Sequence, residues 1–432
     1  MRRHSAPLRR AGWGIADQAF SSLINFALGV LVARSVDLAA FGAFSLAFAA
    51  YLVVVSVTRA YPMDPLAIRY AASPGEAFQR AASAATGTVV GVGVLLGVVV
   101  FGIGLATTGP FSEALLALGI TFPGLLLQDA WRSTFFASGR GSQALLNDIV
   151  WAAAEFPVLG LVIASGSRSI FWLVLAWGGS ATVAALVGIL RSSVVPRPWL
   201  AGRWWREHTD LGLRFIAEAL ARVVSGQIQL YGVGFVAGLG AVGALRAGQL
   251  LFGPMQVVAF GISMMAVPEG ARALAVSLHR LERVTLVISA GLATAAVAWG
   301  VVVFVLPSDV GRLLLRTAWD PAHSLVLPIF LASVGTAVLY GAGIGVRSLA
   351  AAGRSLRATL ATSTLTLAFG ITGAALGGAS GSAWGLCAVA IAGTGIWWYE
   401  YRGALRDYAS RRIAISDGTG GPGTVAASEG LS

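Results

Sequence analysis

The sequence contains no lysine; all 30 of its basic residues are arginine. A nucleotide-binding P-loop needs a lysine on its phosphates, so no such loop exists here. Cys387 is the only cysteine, which excludes an intramolecular disulfide and leaves no basis for a cysteine-held metal. The four histidines, His4, His208, His279 and His323, are scattered and fall in expected loops or tails. HExxH and GxSxG motifs are both absent. With no constellation for acid–base, nucleophilic or metal chemistry, the chain is not read as an enzyme, and no cofactor is expected.

Charge is scarce as well. Charged residues make up 11% of the chain and hydrophobic ones 56%, whereas soluble domains carry roughly 25% charged residues. So few charges cannot cover a water-facing surface, and lipid is expected to face much of the molecule. The net charge of +11 raises the question of nucleic acid. The placement of the arginines answers it in favour of membrane topology, and no nucleic-acid partner is expected. Arginine without lysine, with abundant Ala and Gly, points to a GC-rich bacterial genome.

What is present is a series of apolar runs. A bilayer core of about 30 Å needs roughly 20 helical residues to cross it. Runs of that length lie near residues 12–34, 38–59, 84–106, 114–136, 144–164, 169–190, 211–235, 242–267, 284–306, 324–346, 356–376 and 382–400. Short alternating segments, the mark of a membrane barrel, are missing. The expected fold class is therefore an all-α integral membrane protein of about twelve transmembrane helices. The first run follows a short basic stretch and is long enough to be a span, so no cleavable leader is expected.

With the N-terminus in the cytoplasm, the cytoplasmic segments hold 21 arginines and the outer loops hold three, Arg168, Arg312 and Arg316. This is the positive-inside bias, and it places both termini in the cytoplasm of a bacterial inner membrane. The longest polar interruption, near 191–210, divides the helices six and six. The expected organisation is a lobe over 1–200, a second over 201–405, and a Gly- and Ser-rich disordered tail over 406–432.

The halves resemble each other. A shift of 201 residues puts Asp17 on Glu218, Val32 on Val233, Ala40 on Ala241, Gly42 on Gly243 and Ala43 on Ala244. A shift of 214 puts Gly139, Arg140 and Ala144 on Gly353, Arg354 and Ala358. Six-plus-six repeats of like orientation are a transporter pattern, with the path between the halves.

Ionisable groups at membrane depth are costly and usually face a bundle interior or a wet cavity. In helix seven Arg214, Glu218, Arg222, Ser225 and Gln229 draw one stripe at helical spacing. It is either an i,i+4 salt bridge near the headgroups or the lining of a cavity. Helix one carries Asp17, Ser21 and Asn25 at i, i+4 and i+8. Asp17 reads equally as an acid favoured by the helix dipole and as a functional group. Helix eight carries Arg246, Gln249 and Gln256 on one face. Asp129 and Arg132 in helix four are expected to pair with each other at i,i+3. In helix five Asp148 and Glu155 lie two turns apart. Glu155 is expected either to pair across helices or to serve cation coupling. Trp204, Trp205 and the Trp397–Tyr399 cluster read as interfacial anchors. Pro123, Pro157, Pro254 and Pro328 each fall inside an expected helix.

Three stretches carry a family resemblance. DQAFSSLINFALGVLVARSVDLAAFGAFSLA (residues 17–47) resembles the opening of bacterial oligosaccharide flippases, where a polar first helix leads through LVAR into FG-F. QDAWRSTFFASGRGSQALLNDIVW (residues 128–151) is similar to their fourth and fifth helices, and GLGAVGALRAGQLLFGP (residues 238–254) to the second half. These are Wzx-type proteins of the polysaccharide exporter branch, in the superfamily that also holds multidrug extruders and lipid II flippases. The resemblance implies two six-helix lobes around a central cavity that opens alternately to each side. It implies as cargo an anionic oligosaccharide on a polyprenyl pyrophosphate carrier, moved to the outer leaflet of the bilayer. It further implies a cationic cavity, for which Arg214, Arg222 and Arg246 are the candidates, with Gln229 and Asn25 as further substrate contacts. Asp17, Glu155 and Glu218 are candidates for a coupling-ion site or for structural pairs. A polysaccharide polymerase and glycosyltransferases are the implied partners. A cation-coupled multidrug or metabolite exporter and a non-transporting partner of a polysaccharide synthesis complex are the alternatives.

Overall fold

The computed structural model describes residues 5–73 and 75–416. Fourteen α-helices are found among them: α1 (Ser5–Ser35), α2 (Leu38–Thr58), α3 (Asp64–Tyr70), α4 (Gly75–Ala106), α5 (Gly109–Ala137), α6 (Gly141–Ala164), α7 (Ile170–Ser192), α8 (Ala201–Leu251), α9 (Gly253–Val276), α10 (Leu278–Phe304), α11 (Ser308–Leu315), α12 (Trp319–His323), α13 (Val326–Ser348) and α14 (Ala352–Ser416). No strand occurs among the described residues. Among the described residues ten segments are long and apolar enough to cross a membrane.

Two long helices are each two crossings. In α8 the backbone leaves the helix at Gly238, which has a φ of 82°. A Cβ on Gly234 would meet Val242 Cγ2 at 3.3 Å, although eight residues of straight helix span about 12 Å. The chain therefore folds back there. Likewise α14 breaks at Gly377 and Gly378, and the backbones of Gly373 and Gly381 touch. A positive φ without strain is what glycine offers at both turns. Counting α14 as two, and residues 239–276 as one, gives the twelve crossings expected from the apolar runs.

The helix joining the last crossing to the C-terminus continues to Ser416, through the first part of the stretch expected as a tail. The rest of that stretch lies outside the described residues. Pro123 and Pro157 are helix-internal, as expected. Pro254 and Pro328 instead occupy the first turns of α9 and α13, where a missing N–H leaves no gap in the ladder.

α2 and α3 form one continuous rod with a π-turn at Arg59–Met63. Pro62 has no N–H to donate, and the ladder widens so that Asp64 donates to the Arg59 carbonyl. The start of the rod is capped by Asp37, whose Oδ1 accepts from the Ala40 N–H at 2.8 Å.

The chain forms two compact units. The first comprises Met1–Gly253, Leu306–Leu325 and Gly370–Ala383; the second comprises Pro254–Val305, Val326–Phe369 and Trp384–Ser432. The core of the first is built on α5, with Leu118, Phe122, Leu125, Trp131 and Phe135 fully buried. Phe48, Tyr51 and Trp177 stack beside it, with Tyr51 and Trp177 edge to face at 5.2 Å. The second has a core of Ala342, Val346, Ala358, Trp397 and Tyr401. Trp397 is thus a core residue and not an interfacial anchor; Tyr399, two positions on, is the exposed member of that cluster.

Within the first unit the repeat is visible as a contact. Gly42 of α2 lies against the Leu239 carbonyl, and Gly243 of α8 against the Leu38 carbonyl. Both glycines and both leucines are related by the same 201-residue shift, so one contact is made twice. Glycine is required because a Cβ at either position would overlap a backbone oxygen. The Tyr231 hydroxyl donates to the Leu46 carbonyl at 2.8 Å and closes the same helix pair. The 214-residue shift does not survive. The left-handed residues that end α5 and α13, Gly139 and Ala350, are 211 positions apart. Arg140 therefore has no structural counterpart in Arg354, which instead pairs with Glu400 and Asp407 at 2.9 and 2.8 Å.

Candidate functional site

Polar residues of the first, second, fourth and fifth apolar helices meet in one cluster, buried at its acidic members and open at Arg59. From α5 come Gln128, Asp129 and Arg132, from α1 Asp17 and Ser21, from α6 Asp148, and from the π-turn Arg59. Arg132 Nε donates to Asp17 Oδ2 at 2.6 Å, and its Nη1 reaches Ser21 Oγ at 3.5 Å. Arg59 holds Asp129 with two donors, Nε to Oδ2 at 2.8 Å and Nη2 to Oδ1. Gln128 Nε2 donates to Asp148 Oδ1 at 2.7 Å. Asp129 and Arg132 therefore do not pair with each other. Each reaches a neighbouring helix, where its charge meets an opposite charge and the geometry allows closer approach than along one helix face. Asp17 is not a first-turn acid either; it sits in the middle of α1 and is bound by Arg132.

Three carboxylates and two guanidiniums leave this cluster one negative charge in excess if all are ionised. Asp17 Oδ1 has no hydrogen-bond partner among the described residues. An Arg–carboxylate pair with two parallel donors is directional as well as strong, which fixes the rotation of α5 against α2. The Asp17–Arg132 pair is nearly fully buried, with side-chain exposures of 2% and 14%.

Glu155 stands apart. It is fully buried on α6, two turns beyond Asp148, and neither carboxyl oxygen has a partner among the described residues. Of the two expectations for it, cross-helix pairing is not what is found. Asn147, also fully buried, likewise has both amide atoms without partners.

The candidates in the second half separate. Gln229 is buried and donates to Ser382 Oγ at 3.0 Å, tying α8 to the turn of α14. Arg246 is half-buried within a membrane-crossing segment, and Gln249 at 3.3 Å is its hydrogen-bond partner. Asn25 is exposed on α1, next to Phe26, which packs on Gly253 just beyond the end of α8. The side chains of Arg214, Glu218 and Arg222 lie outside the described residues; the backbone there is helical.

Two residues that matter were not singled out from sequence. Arg59 falls at the end of the expected run over 38–59, and Pro62 three residues later is the available signal for a widened turn there. His208 is expected in a loop. It lies on α8, is buried, and stacks on Trp204 at 3.9 Å. Trp204 is accordingly a packing residue and not an interfacial anchor. No cluster of His, Cys, Asp and Glu suited to a metal occurs among the described residues.

Solved membrane proteins share this arrangement of helices. The inward-facing conformation of a multidrug resistance MATE family transporter of the MOP superfamily matches with a TM-score of 0.68 at 15% identity, over 90% of this chain and 95% of that one. The fold is that of the MOP superfamily. The MOP fold is seen equally in the lipid II flippase MurJ, inward closed, with a TM-score of 0.68 at 11% identity over 93% of this chain and 91% of that one. A MOP superfamily transporter from Pyrococcus furiosus, described by a binding pocket of reverse polarity, matches with a TM-score of 0.60 at 14% identity over 94% and 96% of the two chains. No family model and no curated protein matches the sequence.

Proposed function

We propose that this protein is a membrane transporter that moves an anionic, lipid-linked oligosaccharide to the outer leaflet by alternating access. The observation that carries this reading is Arg246. It is a guanidinium inside a membrane-crossing segment, held by a neutral amide and by no carboxylate among the described residues. A cation left without a counter-ion in a low-dielectric region is unfavourable on its own. A pyrophosphate supplies the missing charge and accepts the paired donors of arginine. On this reading Arg214 and Arg222, on the arm of α8 before Gly238, are the further cationic candidates, and exposed Asn25 is a neutral contact for sugar hydroxyls, whereas Gln229 is buried against Ser382. MurJ, which shares the fold, is described as a lipid II flippase.

The reading keeps the two six-helix halves, residues 1–200 and 201–405, with residues 406–432 on the cytoplasmic side of a bacterial inner membrane. A polymerase and glycosyltransferases are the partners it calls for. The test is flipping of a polyprenyl-pyrophosphate-linked sugar by the full chain in reconstituted vesicles. Arg246→Ala should lower the rate more than tenfold, and Arg246→Lys should retain part of it. Unchanged flipping by a correctly inserted Arg246→Ala protein overturns the cationic path.

A second reading, a cation-coupled exporter of small molecules, is favoured by Glu155. A buried carboxyl with both oxygens free is suited to take up a proton or a cation. On this reading Asp17 and Glu218 belong to the coupling machinery. Export driven by an imposed ion gradient, abolished by Glu155→Gln and indifferent to Arg246→Ala, distinguishes it from the first.

A further inference from the structure

We propose that residues 195–206, together with Arg80, form a docking surface for anionic phospholipid headgroups on the arginine-rich side of the membrane. Three observations converge on it. The first is continuity with the lipid-facing surface. On α7, Val183, Leu186 and Leu190 are exposed at helical spacing, Leu190 by 80%. After the left-handed turn at Ser193, Val195 is 60% exposed and Trp199 is 75% exposed. The apolar stripe of a membrane span thus runs on into the linker.

The second is that the linker is pinned, so these side chains are held in place. The Arg197 N–H donates to the Ser83 carbonyl of α4 at 2.9 Å, and the Arg197 backbone lies directly on Gly87. A few residues on, Trp204 is buried between Tyr70 and His208, with ring centroids at 5.8 and 3.9 Å. The Tyr61 hydroxyl donates to the Trp205 carbonyl at 2.6 Å. The inner face of the segment is therefore occupied by Trp204 and His208, while Trp199 stands open.

The third is charge. Arg80, Arg197, Arg203 and Arg206 are all exposed. Arg203 pairs with Glu207 at 2.7 Å, and Asp210 is taken by Arg69. Arg80, Arg197 and Arg206 make no ion pair among the described residues. A tryptophan anchors a segment at any membrane–water interface. Unpaired arginines beside it select a negatively charged one, because each gains from the surface potential of anionic lipid.

The experiment uses the full chain. A spin label is placed on Trp199→Cys in a Cys387→Ala background, and the protein is reconstituted in phosphatidylcholine with or without phosphatidylglycerol. With phosphatidylglycerol the label should show the oxygen accessibility of the headgroup–acyl boundary. Water-like accessibility in those bilayers overturns the proposal. In native mass spectrometry, each of Arg80→Gln, Arg197→Gln and Arg206→Gln should lower retention of phosphatidylglycerol roughly fivefold and leave phosphatidylcholine unchanged. The corresponding lysine variants should keep it. No loss, or equal loss of both lipids, overturns it. None of these residues belongs to the proposed cargo path or coupling groups, so the result is independent of the transport reading.

Discussion

Gly42 and Gly243 each rest on the carbonyl of the residue four positions before the other, Leu239 and Leu38. A contact made twice with one geometry is what two copies of a helix pair produce when they face each other. Because backbone oxygens and not flexible side chains are met, the helices cannot yield locally to a larger residue. Gly42→Val and Gly243→Val should each destabilise the detergent-solubilised protein by about 1–3 kcal/mol, the usual range for overpacking. A thermal melt followed by fluorescence checks this. A melting temperature unchanged in both variants would show that the helices do not meet this closely.

The Asp17–Arg132 pair makes a different demand. Removing one partner leaves a buried charge alone, which typically costs about 3–5 kcal/mol, whereas replacing both by apolar groups is often nearly neutral. Arg132→Met should therefore lower stability strongly, and Asp17→Leu with Arg132→Met should recover most of the loss. The coupling energy from a double-mutant cycle is the measurement. Additive losses would mean that the two side chains do not interact.

Glu155 is expected to behave in the opposite way from Asp17. Its carboxyl has no partner to lose among the described residues, so Glu155→Gln should leave the melting temperature unchanged or raise it. A drop comparable with that of the Arg132 variant would reveal a partner for Glu155 and count against its availability to a cation.

Gln229 provides a smaller and more local test. Its hydrogen bond to Ser382 is buried, and Gln229→Leu removes the bond and leaves the serine hydroxyl without it. The expected loss is about 1–2 kcal/mol. Adding Ser382→Ala should give part of it back.

The crossings were legible because hydrocarbon demands unbroken apolar runs, and α4 to α7 end within a few residues of their expected cytoplasmic or outer limits. The pairings were not legible. Sequence spacing shows which residues share one face of a helix, so Asp129 and Arg132 looked like partners when each is bound by another helix. The 201-residue repeat was readable because its glycines are fixed by a backbone contact. The 214-residue match was a coincidence of common residues, three positions out of register. Trp204 and Trp397 read as interfacial residues in the sequence because indole suits both environments; packing, which buries both, decides between them.

Pro62 has a reach beyond its own turn. The residue it adds to the ladder at Arg59–Met63 rotates everything after it relative to α2. Restoring a normal donor at that position would let the rod wind through without the surplus residue, turning α3 by roughly 100°. Arg69 and Tyr70 would then swing away from Asp210 and Trp204, even though none of those four had been altered. One imino acid thus sets the phase between the Arg59–Asp129 pair on one side of it and the anchoring of the segment joining α7 to α8 on the other.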